Sequence, residues 1–188
     1  MIIFLQGYIS YLIIVSLGIS FGYHRYFSHN QFKTSKIGEI ILLSCGIICG
    51  GRSPLSWVGV HRMHHAYSDT DKDPQNVGSV SILFSLWRVK SIPKKFIADL
   101  LNNPRVMFFH KYRLYLWLGS FLVFIPIIHI WIIIQIFSYF GFGMINYFGH
   151  RKGKPTNCWW LNFIAPFEGN HKSHHQNATS CKDIFTFR

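Results

Sequence analysis

Nine of the eleven histidines in this 188-residue chain follow a pattern typical of metal ligands. Three short clusters read HRYFSH (24–29), HRMHH (61–65) and HKSHH (171–175), and a further histidine follows the string NYFG. Neutral imidazole is the most common side-chain ligand of redox-active transition metals. Because one such ion takes about four to six ligands, this number of histidines predicts two metals that share one site. The candidate ligands are His24, His29, His61, His64, His65, His150, His171, His174 and His175.

The spacing within each cluster determines where its side chains point. In H-x-x-H-H, the histidines at i, i+3 and i+4 span an arc of about 100° on a helix, so all three can face one metal. The pair His24 and His29 differs, because a spacing of five places the two rings roughly 140° apart on a regular α-helix. We therefore expect either that the helix ends between them or that each serves a different metal. A single cluster would fit an exposed polar helix face equally well, whereas the three together favour a metal site.

Other polar residues near the clusters are assigned less specific roles. His110 lies beside Lys111 and Arg113 and is expected to face solvent or lipid headgroups. His129 interrupts an apolar run and is expected at a turn or an interface. The loop DTDKDP (69–74) places three acids just after the second cluster. These acids either accept hydrogen bonds from histidine N–H groups or form a solvated turn.

The composition indicates a membrane protein with a large basic region on one side. Hydrophobic residues make up 49% of the chain and aromatic residues 18%, with a mean hydropathy of +0.21 and a net charge of +12. Nucleic-acid binding is disfavoured, because no basic stretch is long or continuous. The four cysteines form no C-x-x-C motif and are predicted to be small buried hydrophobes. They are Cys45, Cys49, Cys158 and Cys181.

Three apolar segments are predicted to cross the membrane, at about 1–23, 112–128 and 130–149. The apolar run over 112–149 would be about 57 Å long as one helix, nearly twice the hydrocarbon thickness of about 30 Å. We therefore expect two passes joined by a tight turn at 126–129, the alternative being one long span with a protruding helix. The segment 37–51 is too short to cross easily and is interpreted as a half-buried or interfacial helix.

A shared metal site also predicts the topology. If all clusters contribute to it, the regions 24–111 and 150–188 must lie on one face of the membrane. Lysine and arginine concentrate in these regions, so the positive-inside rule makes that face cytoplasmic. The predicted fold is all-α. It is a single domain over 1–188, an integral membrane helical bundle of about three spans with a cytosolic histidine-rich helical cap.

The four histidine motifs together resemble those of a known family. In order, HRYFSH, HRMHH, NYFGH and HKSHH are similar to the histidine boxes of membrane-bound fatty acid desaturases of the stearoyl-CoA or acyl-lipid Δ9 type. The stretch SWVGVHRMHHAYSDTDKDP is similar as well. The resemblance implies two Fe²⁺ ions held by the nine histidines. It also implies that Asn146 reaches one iron through water and that Trp57 lines an acyl tunnel. Judged alone, Asn146 would be a polar residue facing the bundle interior, and Trp57 a core or interfacial residue.

The resemblance also implies an activity, in unsaturated fatty acid biosynthesis. Such an oxidoreductase acts on paired donors, reduces O₂ to water and introduces a cis double bond at the Δ9 position of a saturated acyl chain. The acyl carrier would be CoA, acyl carrier protein or a lipid. Electrons would come from cytochrome b5 or ferredoxin, acidic proteins that a net charge of +12 would attract.

Two other classes remain open. A di-iron membrane hydroxylase of lipids would use the same clusters, and a non-catalytic desaturase remnant would retain the motifs without the activity. The second class is considered because, compared with the family pattern, the chain is expected to be shortened at both ends.

Overall fold

The computed structural model describes residues 1–75, 91–151 and 153–180. Within these ranges the chain is helical and contains no β-strand, which confirms the predicted all-α fold. The longer elements are α1 (Ile2–Val15), a π-helix (Ser16–Ser28), α2 (Lys36–Ile48), α3 (Pro54–Tyr67), α4 (Ala98–Leu101), α5 (Pro104–Val123), α6 (Ile128–Gly149) and α7 (His171–Gln176). Short 3₁₀ turns occur at Lys94–Phe96, Ile125–Ile127 and Trp159–Phe163.

Two helical stretches are long and apolar enough to cross a membrane, judged by length and composition. They are Ile2–Ser28 and Ile125–Gly149. The first continues beyond the predicted end at residue 23, because the π-helix follows α1 without a break. The second contains the predicted span 130–149.

Helix α5 covers most of the predicted span 112–128, but it begins earlier than expected, at Pro104, and ends at Val123, before the predicted end of the span. Asn103 ends the preceding loop there, since its side chain accepts hydrogen bonds from the N–H groups of Arg105 and Val106. The resulting 20-residue α5 carries three basic residues in its first half and is not one of the two apolar stretches. Three crossings therefore stay a prediction.

The predicted turn between the last two spans is present as the 3₁₀ turn Ile125–Ile127. Across it, the indole N–H of Trp117 on α5 donates to Gln135 on α6 at 3.1 Å, and the indole N–H of Trp131 donates to Ser120 at 3.1 Å. These pairs show that α6 runs back along α5, so one continuous long helix is wrong.

Helix α2 covers most of the segment 37–51 and is buried on one side, while its position relative to a membrane stays a prediction. Its exposed side carries Ile37, Ile40 and Ile41. On the other side Glu39 is buried, accepts a hydrogen bond from the Asn103 amide at 2.6 Å and forms an ion pair with Arg105. The buried carboxylate is tolerated because it is both hydrogen-bonded and paired with a cation. Both partners come from the start of α5.

Small residues allow the π-helix to pack closely on α2. A Cβ atom at Gly18 would lie 2.3 Å from the backbone nitrogen of Gly46, so the two backbones touch there. The Tyr23 ring covers the same glycine. Such contacts between small residues are typical of helices packed within membranes. Nearby, Cys45 and Cys49 are buried as predicted, while Cys158 is half-buried and Cys181 lies outside the described residues.

The first helices also hold the segment 163–168, which leads into α7. Three side chains of α1 and the π-helix bond to its backbone carbonyls: Tyr8 to Phe163 at 2.5 Å, Tyr11 to Ile164, and Ser20 to Pro166 at 2.7 Å. At the start of α7, the Asn157 side chain accepts hydrogen bonds from the N–H groups of Lys172 and Ser173. The third histidine cluster is thus anchored to the N-terminal part of the chain.

Candidate metal centre

The nine predicted ligands meet in one region of the molecule and divide into two groups. His24 lies in the π-helix and His29 directly after it; α3, the end of α6 and α7 carry the others. The five-histidine group consists of His24, His29, His61, His65 and His174. The four-histidine group consists of His64, His150, His171 and His175. Within each group the candidate ligand atoms all lie within 4.8 Å of one another. His110 and His129 belong to neither group.

The π-helix explains how His24 and His29 reach the same group. In a π-helix, hydrogen bonds join residues five apart, so residues at i and i+5 lie roughly one above the other. The backbone N–H of His29 donates to the carbonyl of His24 at 3.2 Å, and the two ring centroids are 5.0 Å apart. The helix ends at Ser28, between the two histidines, as one of the two expectations required. Because His24 and His29 belong to the same group, the structure does not favour the other expectation, that each binds a different metal.

In the five-histidine group the ring nitrogens converge. The Nε2 atom of His24 lies 2.8 Å from that of His174, and the Nε2 atom of His29 lies 2.9 Å from that of His61 and 3.2 Å from that of His174. Imidazole nitrogens bind transition metals at about 2.1 Å, so adjacent ligands on one ion lie about 3 Å apart. The observed separations fit such a shell.

The four-histidine group shows the same convergence. The Nε2 atom of His150 lies 3.0 Å from that of His64 and 2.8 Å from that of His171. The buried Nε2 atoms of His175 here, and of His65 in the other group, have no hydrogen-bond partner among the described residues. Unpartnered imidazole nitrogens in a buried site are donors suited to a transition metal.

Three carboxylates determine which nitrogen of their histidine faces the centre. The Nδ1 atom of His64 lies 2.9 Å from Asp73, that of His150 lies 3.0 Å from Asp69, and that of His24 lies 2.8 Å from Glu168. Each Nδ1–H therefore donates to a carboxylate, which leaves Nε2 as a lone pair. With these tautomers, the facing Nε2 atoms of His64 and His150 are two acceptors 3.0 Å apart, an arrangement that a metal cation bound by both would satisfy.

The acidic loop after the second cluster is thus only partly a solvated turn. Asp69 and Asp73 bond to candidate ligand histidines, and Asp73 also accepts hydrogen bonds from the backbone N–H groups of Asp69 and Gln75. Asp71 is exposed. Sequence reasoning missed Glu168, although it stands three residues before His171, where a carboxylate beside a histidine box was a usable signal.

Burial favours the neutral form of several candidate ligands. Desolvation, and then the neighbouring imidazoles, hold the pKa of His61, His65 and His171 well below the usual range. The same causes lower the pKa of His150 to about 4, although Asp69 opposes the shift. Neutral imidazoles have the free lone pairs that metal binding requires.

Trp57 and Asn146 both line a cavity of about 60 Å³ beside the histidines. Its wall includes His61 from the five-histidine group and His64 from the four-histidine group. The Trp57 ring stacks on His61 with the centroids 5.1 Å apart. Trp57 is therefore partly a support for a candidate ligand, whereas Asn146 faces the cavity between both groups.

A larger cleft of about 840 Å³ adjoins this cavity, since Gly50 and Phe142 line both. Residues of α5 and α6 form most of its apolar wall. His110 on α5 does not line this cleft; it is half-buried, with its Nδ1 atom 2.5 Å from the Ser53 hydroxyl, so it does not simply face solvent.

The chain is an all-helical, membrane-type bundle that gathers nine histidines into two groups. These features place it in the class of membrane-type helical proteins with a candidate two-metal centre. No family model matches the chain. Among curated proteins, it is 31% identical over 190 residues to the sn-1 stearoyl-lipid 9-desaturase of Anabaena variabilis, covering 88% of this chain and 68% of that protein. It is 28% identical to the sn-1 stearoyl-lipid 9-desaturase of Synechocystis sp., covering 94% of this chain and 62% of that protein.

A third relative is the probable acyl-CoA desaturase of Schizosaccharomyces pombe, 32% identical over 188 residues, which cover 85% of this chain and 39% of that protein. The chain belongs to the Δ9 fatty acid desaturase family. The resemblance of the histidine motifs is thereby confirmed. The chain spans between about two thirds and two fifths of the length of these relatives.

Proposed function

We propose that this protein is an oxygen-dependent di-iron acyl desaturase that introduces a cis double bond at the Δ9 position of a saturated acyl chain. The observation that carries the proposal is the close approach of the Nε2 atoms of His64 and His150, 3.0 Å apart, with a carboxylate at the Nδ1 atom of each ring. Family membership supports the choice of reaction, because relatives from two sources are named as 9-desaturases of stearoyl lipids.

The five-histidine group and the four-histidine group would each hold one Fe²⁺. The bound irons would supply O₂ activation and the oxidising power needed to remove hydrogen from an unactivated methylene. The chain itself contributes neutral donors, the carboxylates that orient them and a buried site. Asn146 would hold a water toward one group from the cavity wall.

The acyl chain would lie in the apolar cleft between α5 and α6 and reach the small cavity beside Trp57. An apolar cleft stabilises the chain by removing it from water, and a closely lined cavity restricts which methylenes approach the histidines. The acyl carrier would be CoA, acyl carrier protein or a lipid. Product formation takes hydrogen from two adjacent carbons and reduces O₂ to water, and the remaining electrons come from a partner protein.

The partner would be cytochrome b5 or ferredoxin, and it would dock on the face that carries the histidine groups. Exposed lysines lie on the segments around the site, namely Lys33, Lys36, Lys72, Lys94, Lys95, Lys154 and Lys172. A positive surface attracts an acidic donor and speeds its association at low salt. The protein would be a multi-pass membrane protein with this face in the cytoplasm.

Metal analysis provides the first test. Purified under iron-replete conditions, the chain should contain about two metals, one for each histidine group. A single tightly bound zinc with no iron would contradict the proposal. Zinc at both positions would not, because overexpression often places zinc in sites built from histidine.

Lipid analysis provides the second test. Expression with a reduced donor should raise the cis-monounsaturated fraction of cellular lipids, and His64→Ala should abolish the increase because it removes a ligand. Hydroxylated fatty acids as the main product would identify a hydroxylase. An unchanged lipid profile, with two irons and a reduced donor verified, would identify a non-catalytic remnant.

A further inference from the structure

Arg62 lies within the second histidine cluster but bonds to the end of the π-helix. It follows His61 on α3, and its side chain is mostly buried, with 16% exposed. Its donors reach three backbone carbonyls and both oxygens of one carboxylate: Phe27 at 2.6 Å, Ser28 at 3.2 Å, Phe96 at 2.9 Å and Asp99 at 2.7 and 2.9 Å. All five contacts use the planar fork of the guanidinium, which lysine cannot reproduce.

Two of these carbonyls belong to the last residues before His29. Carbonyls at a helix C-terminus have no partner within the helix and must be satisfied elsewhere. Arg62 satisfies them from α3, the helix that also carries His61 and His65. The backbone that presents His29 is thereby tied to the helix that presents two other members of the five-histidine group.

Asp99 orients the guanidinium from the opposite side. Its hydrogen bonds with Arg62 hold the pKa of this carboxyl below its usual range. Asp99 is 53% exposed, and an exposed ion pair alone contributes little to stability. Its effect is instead to hold the guanidinium in one orientation, in which the N–H donors of Arg62 reach the backbone carbonyls of Phe27, Ser28 and Phe96.

We propose that Arg62, oriented by Asp99, is a positioning residue that sets His29 in register with His61 and His65, and that it controls metal binding at the five-histidine group only. The inference rests on the proposed metal centre. The four-histidine group takes only His64 from α3; its other members lie on α7 and at the end of α6, which Arg62 does not contact among the bonds described. Loss of Arg62 should therefore affect the two groups unequally.

Cobalt binding to the purified protein tests this asymmetry. Wild type should bind about two Co²⁺, and Arg62→Met should retain about one and lose part of the visible Co²⁺ absorption. Arg62→Lys should give an intermediate result, and Asp99→Asn should weaken the second Co²⁺ several-fold, about 3- to 10-fold. The matched control is Lys95→Ala. Like Asp99, Lys95 joins the segment 94–99 to α3, since it donates to the Tyr67 hydroxyl at 3.2 Å. Among the described residues it has no hydrogen bond to the π-helix carbonyls.

Hydrogen exchange gives a readout that needs no metal. The amides of His29 and Gln31 bond to the carbonyls of His24 and Arg25, so their exchange reports the register of the π-helix end. Arg62→Met should speed their exchange by about 10-fold, while Lys95→Ala should leave it unchanged.

Three results would overturn the proposal. The first is an Arg62→Met variant that binds two cobalt ions and whose amides of His29 and Gln31 exchange at the wild-type rate. The second is an Arg62→Met variant that keeps its helical circular dichroism but loses both cobalt ions equally. If Arg62→Met does not fold, the same outcomes are decided on Asp99→Asn. The third is faster exchange in Lys95→Ala equal to that in Arg62→Met. A wild type that binds no cobalt contradicts the proposed metal centre instead, and the exchange measurement then decides whether Arg62 sets the register.

Discussion

At the scale of single residues, carboxylates decide how the histidines can act. Each of Asp69, Asp73 and Glu168 receives an Nδ1–H, and the opposite ring nitrogen is then available to a metal. Asp73 is buried, and although burial would raise its pKa, the bonds from His64 and from two backbone N–H groups lower it below the usual value. It therefore stays an anion that holds the ring in one tautomer.

Asp73→Asn should weaken metal binding at the four-histidine group by about 10- to 100-fold, because an amide no longer fixes the tautomer of His64. Asp71→Asn is the matched control, since Asp71 lies in the same loop and is exposed. Competition with a graded series of chelators measures both affinities. Equal affinity in the two variants would mean that the carboxylate does not tune the site.

Asn146 and Trp57 should give distinguishable effects on the reaction. Asn146→Ala should retain both metals and reduce desaturation less than His64→Ala does, because water can partly replace a water-mediated contact. Trp57→Ala should also retain the metals, but it enlarges the cavity of about 60 Å³, so the rate or the double-bond position should change. Metal analysis with gas chromatography of the products checks both. Loss of metal in Trp57→Ala would show that its stacking on His61 is the more important contact.

At the scale of elements, the π-helix and its packing on α2 place the first histidine cluster. The i to i+5 hydrogen bonds bring His24 and His29 to one side, and the contact at Gly18 sets the distance to α2. π-Helices are rare and are frequently found at functional sites. A change in this contact should be transmitted to His24, which lies further along the same helix.

Gly18→Ala should destabilise the protein by about 1–3 kcal/mol, because its methyl group would overlap the backbone of α2. Gly119→Ala on α5 is the control, since a Cβ there meets nothing within 4 Å and should be neutral or stabilising by up to about 1 kcal/mol. Thermal unfolding in detergent measures the difference. The same Tm for both variants would show that the π-helix can move away from α2 without cost.

At the scale of the whole molecule, the site constrains how the chain lies in a membrane. His150, at the end of α6, bonds to Asp69 in the loop after α3, so these two segments must lie on one face. The basic segments around them favour the cytoplasmic side. The N-terminus is then predicted on the opposite face, because the stretch Ile2–Ser28 is long enough to cross once.

Labelling of engineered cysteines, in a background with the native cysteines replaced, should place Asp71→Cys and Lys154→Cys on the cytoplasmic face. A cysteine at the N-terminus should be labelled from the other side. Arg188 lies outside the described residues and is expected on the cytoplasmic face as well. Labelling of positions 71 and 154 from opposite faces would exclude one site shared by the second and third clusters.

The sequence alone determined the features that depend on short-range order. Helical spacing at 61–65 and 171–175 predicted that each triplet lies on one side of its helix, and the length of the apolar run over 112–149 required the turn found at Ile125–Ile127. Histidine identity and order were sufficient to indicate the family. These inferences hold because side-chain direction along a helix and the length needed to cross a membrane are local properties.

Only the tertiary structure decided how the histidines divide into groups of five and four. His64 and His65 are neighbours on α3, yet they belong to different groups, because each meets histidines brought in by distant segments. The partner of His24, Glu168, lies 144 residues away along the chain. The first cluster also departed from the period assumed for an α-helix, because the segment Ser16–Ser28 is a π-helix. Contacts between distant segments depend on how all the helices pack together, and no local pattern records them.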